Sequence, residues 1–141
     1  MKTLCNEDRS STVKSECERT SYIFTGIPIP LNRPRFARGI AYDDQYLIKR
    51  AKRFELRKQH LGDYYTRPVQ VELIFYMPIP IVYRKQTPQY HIKRPDTDNM
   101  IKFYLDVATE VLWQDDCIVA VINASKIYDQ VPRTVMTITE L

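Results

Sequence analysis

The chain has 141 residues, 44% of them hydrophobic and 27% charged, enough for one domain with its own core. No apolar run approaches the roughly 20 residues that span a bilayer. The polar N-terminus is no secretory signal, so the expected location is the cytoplasm, with no membrane partner. Cys5, Cys17 and Cys117 are widely spaced, and His60 and His91 form no cluster, which argues against a zinc site or a disulfide framework.

Residues 1–20 carry four basic and four acidic side chains without periodicity, and are expected to be a flexible leader dispensable for the fold. The domain is then 21–141. Residues 21–26 alternate toward a first strand. Ile27-Pro28-Ile29-Pro30 ends it, because proline donates nothing to a strand ladder. Residues 33–42 are basic and aromatic, with a turn at Gly39, and read as a hairpin or an ordered loop. Asp43 or Asp44 can cap a helix running to about Leu61, with Gly62 as its stop. Its apolar stripe is expected at Leu47, Ala51, Phe54 and Leu61.

Residues 69–76 alternate cleanly, with Val69, Val71, Leu73 and Phe75 on one face. Pro78 and Pro80 end that strand, and 81–95 form a long basic loop. Residues 96–112 read as a second helix with Ile101, Leu105, Ala108 and Leu112 toward the core, and Trp113 as a core aromatic. Residues 117–122 and 134–139 are strands joined by a loop with Asp129 and Pro132, and Cys117 is expected as a small core residue. The order predicts an α/β (α+β) domain, a small mixed sheet with two main helices packed on it.

The net charge is +4 and the sequence pI about 9.0, but the distribution says more. Residues 30–60 hold nine basic side chains against three acidic, and 83–94 hold four basic, none acidic, and His91. Between these blocks and the last strands lie Arg94-Pro95-Asp96-Thr97-Asp98-Asn99-Met100-Ile101-Lys102 and, downstream, Trp113-Gln114-Asp115-Asp116. Carboxylates this close repel, more so when buried. They persist where a cation sits between them or where one acts as a base. Oxygen-only ligation suits Mg²⁺ or Mn²⁺, and the basic flanks suit phosphate.

Plainer readings compete. Asp96 can be an N-cap, worth about 1 kcal/mol. Asp98 and Lys102, four apart, can be a surface ion pair, and Asp115-Asp116 can be a turn. Asp-Thr-Asp-Asn also opens like a calcium loop, but Met100 and Ile101 then stand where an EF-hand needs an oxygen ligand and a glycine. Arg35 and Phe36 resemble a phosphate-and-stacking patch.

Together, Asp-x-Asp-Asn-x-x-Lys, the apolar helix, Trp-x-Asp-Asp, the strand ending in Ser125-Lys126, and Gly-x-Pro-x-Pro-x-Asn from Gly26 to Asn32 resemble the RusA-type Holliday-junction resolvases over residues 21–141. The resemblance implies a homodimeric, Mg²⁺- or Mn²⁺-dependent endodeoxyribonuclease acting on four-way, branched DNA. It implies Asp96, Asp98 and Asp116 as metal-binding carboxylates, with Lys102 catalytic and Asp115 a possible substitute. Asn32, Arg33, Arg35, Arg38, Lys93, Arg94, Asn99 and Lys126 are then the expected DNA contacts. The 81–94 loop and the leader are longer than this pattern needs. Two other classes stay open: a non-catalytic basic DNA-binding module, and a metal-dependent phosphohydrolase of another substrate, for which two basic blocks are excessive.

Overall fold

The computed structural model describes residues 19–141. The elements run β1 (Arg19–Thr25), β2 (Arg35–Ala37), β3 (Ile40–Tyr42), α1 (Tyr46–Gln59), β4 (Val69–Met77), α2 (Thr97–Ala108), β5 (Val119–Tyr128) and β6 (Arg133–Glu140). Four strands form one mixed sheet in the order β1-β6-β4-β5, and β2-β3 form a separate two-stranded ribbon. β4 and β5 are parallel, with α2 in the connection between them, while β6 is antiparallel to both β1 and β4. This is the small mixed sheet with two helices that the sequence predicts. β1 opens at Arg19, inside the segment expected to be a leader. Residues 1–18 lie outside the described residues.

The core lies between α2 and one face of the sheet. Strict alternation on β4 buries Val69, Val71, Leu73, Phe75 and Met77, and β1 and β6 add Tyr22, Phe24, Met136 and Ile138. α2 answers with Met100, Phe103, Tyr104, Val107 and Ala108. Its buried face is therefore turned from the expected one. Ile101 and Leu105 are only partly buried, because the larger Phe103 and Tyr104 take the centre, Tyr104 packing against Phe24, Phe75 and Phe103. The helix stops at Ala108, and Glu110 adopts a positive φ of 72°. Leu112 and Trp113 then fold into the core as a turn.

α1 departs further. Leu47, Ala51, Phe54 and Leu61, the expected stripe, are all exposed, and Leu56 is the one buried apolar residue of the helix. The reason lies in β1, whose outer edge has no partner strand among the described residues. α1 lies along that edge and satisfies it with polar side chains. Gln59 accepts from the Ile23 amide and donates to its carbonyl, 2.8 Å each, Glu55 accepts from the Thr25 amide, and Lys52 donates to the Thr25 carbonyl. Covering an open edge this way stops it from pairing with another chain, and it turns the polar face of α1 inward. The helix also begins without a side-chain cap: Gln45 is the N-cap residue, and Asp43 instead accepts from the Gln45 amide.

Candidate active site

The Pro-rich segment after β1 cannot pair as a strand, so side chains hold it. Gln45, buried, accepts from the Asn32 amide and donates to the Pro30 carbonyl, both at 2.9 Å. The Leu31 amide donates to the Asn99 carbonyl at 2.9 Å, and Ile29 donates to the Tyr104 hydroxyl at 3.1 Å. The segment thus crosses the N-terminal half of α2 and divides its surroundings into two clefts that share Leu31 and Asn32.

The larger cleft, about 710 Å³, is lined by Ile27, Pro28, Asn32, Arg94, Asp96 and Asn99, among others. It gathers four of the residues singled out from sequence. Asp96 takes the N-cap position, yet its side chain makes no cap bond, so capping does not account for it. The loop leading in is fixed from β5. Lys126 donates to the Lys93 and Pro95 carbonyls, 2.7 Å each, and Tyr90 bridges to Ile127. Burial lowers the Lys126 pKa and the nearby Asp96 opposes that shift. Lys126 therefore engages the backbone of that loop.

The second cleft, about 390 Å³, is lined by Asn32, Pro34, Asp43, Lys49, Lys102, Asp106 and Asp116, among others. Lys102 and Asp116 meet here, one from the exposed side of α2 and one from the turn that precedes β5. Burial and the like charges of Asp115 and Asp106 raise the Asp116 pKa. Asp115 also caps that turn, accepting from the Cys117 amide at 3.1 Å. Cys117 is exposed, not a core residue, because the chain is still in the turn when it passes and the strand starts only at Val119.

Lys49 escapes a reading of the sequence. It sits on α1 among other basic residues, yet its side chain is 8% exposed and its ammonium lies 2.7 Å from both Asp43 and Asp106. Burial opposes its charge, but the bonds to Asp106 and Asp43 outweigh this and raise its pKa. Asp106 continues the Asp98, Lys102 spacing by four, and that i, i+4 series was the available signal. Arg53 adds to the joint by donating to the Asp106 and Val107 carbonyls at the C-terminal end of α2, where a cation is favoured.

Asp98 lies exposed in the first turn of α2 and, among the described residues, forms no ion pair with Lys102. Arg33 and Arg38 are exposed, while Arg35 pairs with Asp44 at 2.8 Å. Lys93 is exposed beside the larger cleft. Among the described residues no three His, Cys, Asp or Glu side chains gather into a metal cluster, so Asp96, Asp98 and Asp116 do not converge on one point. A Mg²⁺ site needs only one or two protein carboxylates when water and substrate phosphate supply the remaining oxygens. Asp116, crowded by Asp115 and Asp106, fits that requirement in donor type and in charge.

One cleft holds Asp96 with Arg94, the other Asp43, Asp106 and Asp116 with Lys49 and Lys102, and such sets of carboxylates and cations suit phosphate chemistry. The family model of the endodeoxyribonuclease RusA matches residues 25–139, and the chain belongs to that family. A search of curated proteins returned no match. The family is one of Holliday-junction-resolving endodeoxyribonucleases that act on branched DNA and generally depend on a divalent metal. No helix among the described residues is long and apolar enough to cross a membrane.

Proposed function

We propose that this chain is a Mg²⁺-dependent (or Mn²⁺-dependent) endodeoxyribonuclease that resolves four-way DNA junctions by paired, symmetric incisions in recombination and repair, working in the cytoplasm. The observation that carries the reading is the second cleft, whose lining brings together Lys102 and Asp116 with Pro34 and Asp43, the two roots of the arginine-bearing ribbon. Asp116 would hold the metal, with water and substrate phosphate supplying the remaining oxygens; Asp96 and Asp98, at the start of α2, are the further metal-binding carboxylates that the family pattern implies. Bound there, the cation would act as a Lewis acid on the scissile phosphate.

The chain's own residues supply the rest. Lys102, exposed in the cleft, stabilises charge that develops on the phosphate oxygens. Asn32 and Asn99, in the wall of the larger cleft, and Arg94 beside them hold the backbone on the way in. Lys126 keeps the 93–95 loop at the distance that presents Arg94 and Asp96. Lys49 holds Asp43 and Asp106 and offsets their negative charge in the cleft that Asp116 lines. A junction has two-fold symmetry and needs two cuts, and one chain provides one such cleft, so the working form is a C₂ homodimer.

A nicking assay on a synthetic four-way junction, with a linear duplex of the same sequence as control, tests the reading. Metal-dependent, symmetric cuts in the junction alone are expected. Tight binding with no cutting at any Mg²⁺ or Mn²⁺ concentration would instead make the chain a binding module.

A further inference from the structure

The β2–β3 ribbon belongs to neither the main sheet nor the core. All six of its strand residues are exposed, and a two-stranded ribbon with no covered face is marginal by itself. It is nonetheless anchored. Pro34, just before β2, and Asp43, just after β3, both line the cleft that holds Lys102 and Asp116. Asp43 is tied to buried Lys49, and Arg35 to Asp44. The ribbon therefore rises from the rim of that cleft on a fixed root.

Its register sorts its side chains. Arg35 opposes Tyr42, Ala37 opposes Ile40, and Phe36 opposes Ala41. Cross-strand partners share a face, so Phe36 stands alone on its face with only a methyl group beside it, and it is 74% exposed. The turn at Arg38 and Gly39, with φ of 52° and 78°, sets a guanidinium at the tip. Arg33 lies at the root, and no ion pair is formed by Arg33 or Arg38 among the described residues. At about 3.3 Å per strand residue, Phe36 is about 7 Å beyond Pro34, which is one or two nucleotide steps from the rim.

We infer that the ribbon is a wedge: Phe36 stacks on a base that has lost its neighbour at the branch point of the DNA, while Arg33 and Arg38 hold the phosphates on either side. The inference rests on the reading of the cleft as one that cuts branched DNA. An unstacked base at a branch offers an open π-face, which a continuous duplex does not. The positive charge around Phe36 favours a polyanion over an apolar protein partner. The ribbon thereby gives each cleft a means of telling a branch from a linear duplex.

The test uses full-length protein without divalent metal and a four-way junction carrying 2-aminopurine at the branch point, whose fluorescence rises when its stacking is broken. Wild-type protein should raise the signal on the junction and not on the linear duplex. Phe36→Ala should bind the junction about 5- to 150-fold more weakly, the usual effect of losing one base–aromatic stack, and give no rise even at saturation. Phe36→Trp should restore both. Each of these variants changes an exposed side chain, so folding should survive. An undiminished rise with Phe36→Ala would overturn the wedge, as would a wild-type complex that binds tightly with no rise. A signal lost together with a shift from dimer to monomer in sedimentation would overturn it in favour of a contact between two copies. Wild-type protein that binds no junction at all would remove the wedge and the proposed function together.

Discussion

Replacing Lys49 with methionine isolates the joint between α1, the ribbon root and α2. Methionine keeps most of the aliphatic stem, so the loss is the ammonium and its two contacts of 2.7 Å. Stripping one partner from a fully buried pair costs about 3–5 kcal/mol, and an exposed pair is worth about 0.2–1 kcal/mol. Lys49 is buried, but the Asp43 and Asp106 side chains are 47% and 46% exposed, so water takes over part of what each carboxylate loses. Two such half-exposed contacts place the expected cost at about 2 kcal/mol. For about 120 ordered residues, unfolding entropy of about 2.1 cal/mol/K per residue turns this into a fall in Tm of about 8 °C.

The dependence on pH follows from the signs of the shifts. The Asp43 pKa is lowered, first by the bond from Lys49. Its contribution is thus present above the ordinary value of 3.8 and fades as pH falls through the depressed one. The Lys49 pKa is raised above 10.5, so its contribution is present below 10.5 and fades at higher pH. The gap in Tm between wild type and Lys49→Met should be flat from about pH 5 to pH 10 and close at both ends. Thermal melts monitored by circular dichroism measure it. A gap under about 2 °C at pH 7, or one that persists unchanged at pH 2, would refute the joint.

Asp116→Asn should abolish cleavage while leaving junction binding intact or tighter, because the amide keeps the shape and loses the charge. Gel-shift and nicking assays on one preparation would separate the two effects. Lys102→Ala should slow cleavage by about 10²-fold or more with little change in Kd, as single-turnover rates would show; a loss confined to affinity would make Lys102 a backbone contact. Replacing Arg33, Arg35 and Arg38 together by alanine should flatten the log–log salt dependence of junction binding. Arg35 is already paired with Asp44, so two lost phosphate contacts per protomer, about 0.9 each, give about 1.8 units per protomer and about 3.6 for the proposed dimer; an unchanged slope would mean that this ribbon faces away from the DNA.

Some of this protein could be read directly from its sequence. The period-two alternation on β4 gives a half-buried strand its own face, and all four residues assigned to the core are buried there. Asp-x-Asp-Asn-x-x-Lys and Trp-x-Asp-Asp identify the family because they are local spacings on one helix and one turn. What remained hidden was decided between elements. A count of apolar residues put Leu47 and Phe54 of α1 inward, but an open strand edge needs hydrogen bonds more than it needs contact, so Gln59, Glu55 and Lys52 face the sheet. On α2 both Ile101 and Phe103 fit a helical stripe, and only the aromatic cluster that Tyr104 builds with Phe24, Phe75 and Phe103 chose the aromatic side. Lys49 and Asp106 are 57 positions apart. Nothing local tells a lysine in a basic helix that it will be buried between two carboxylates, since the energy that fixes it exists only after α1 and α2 have met.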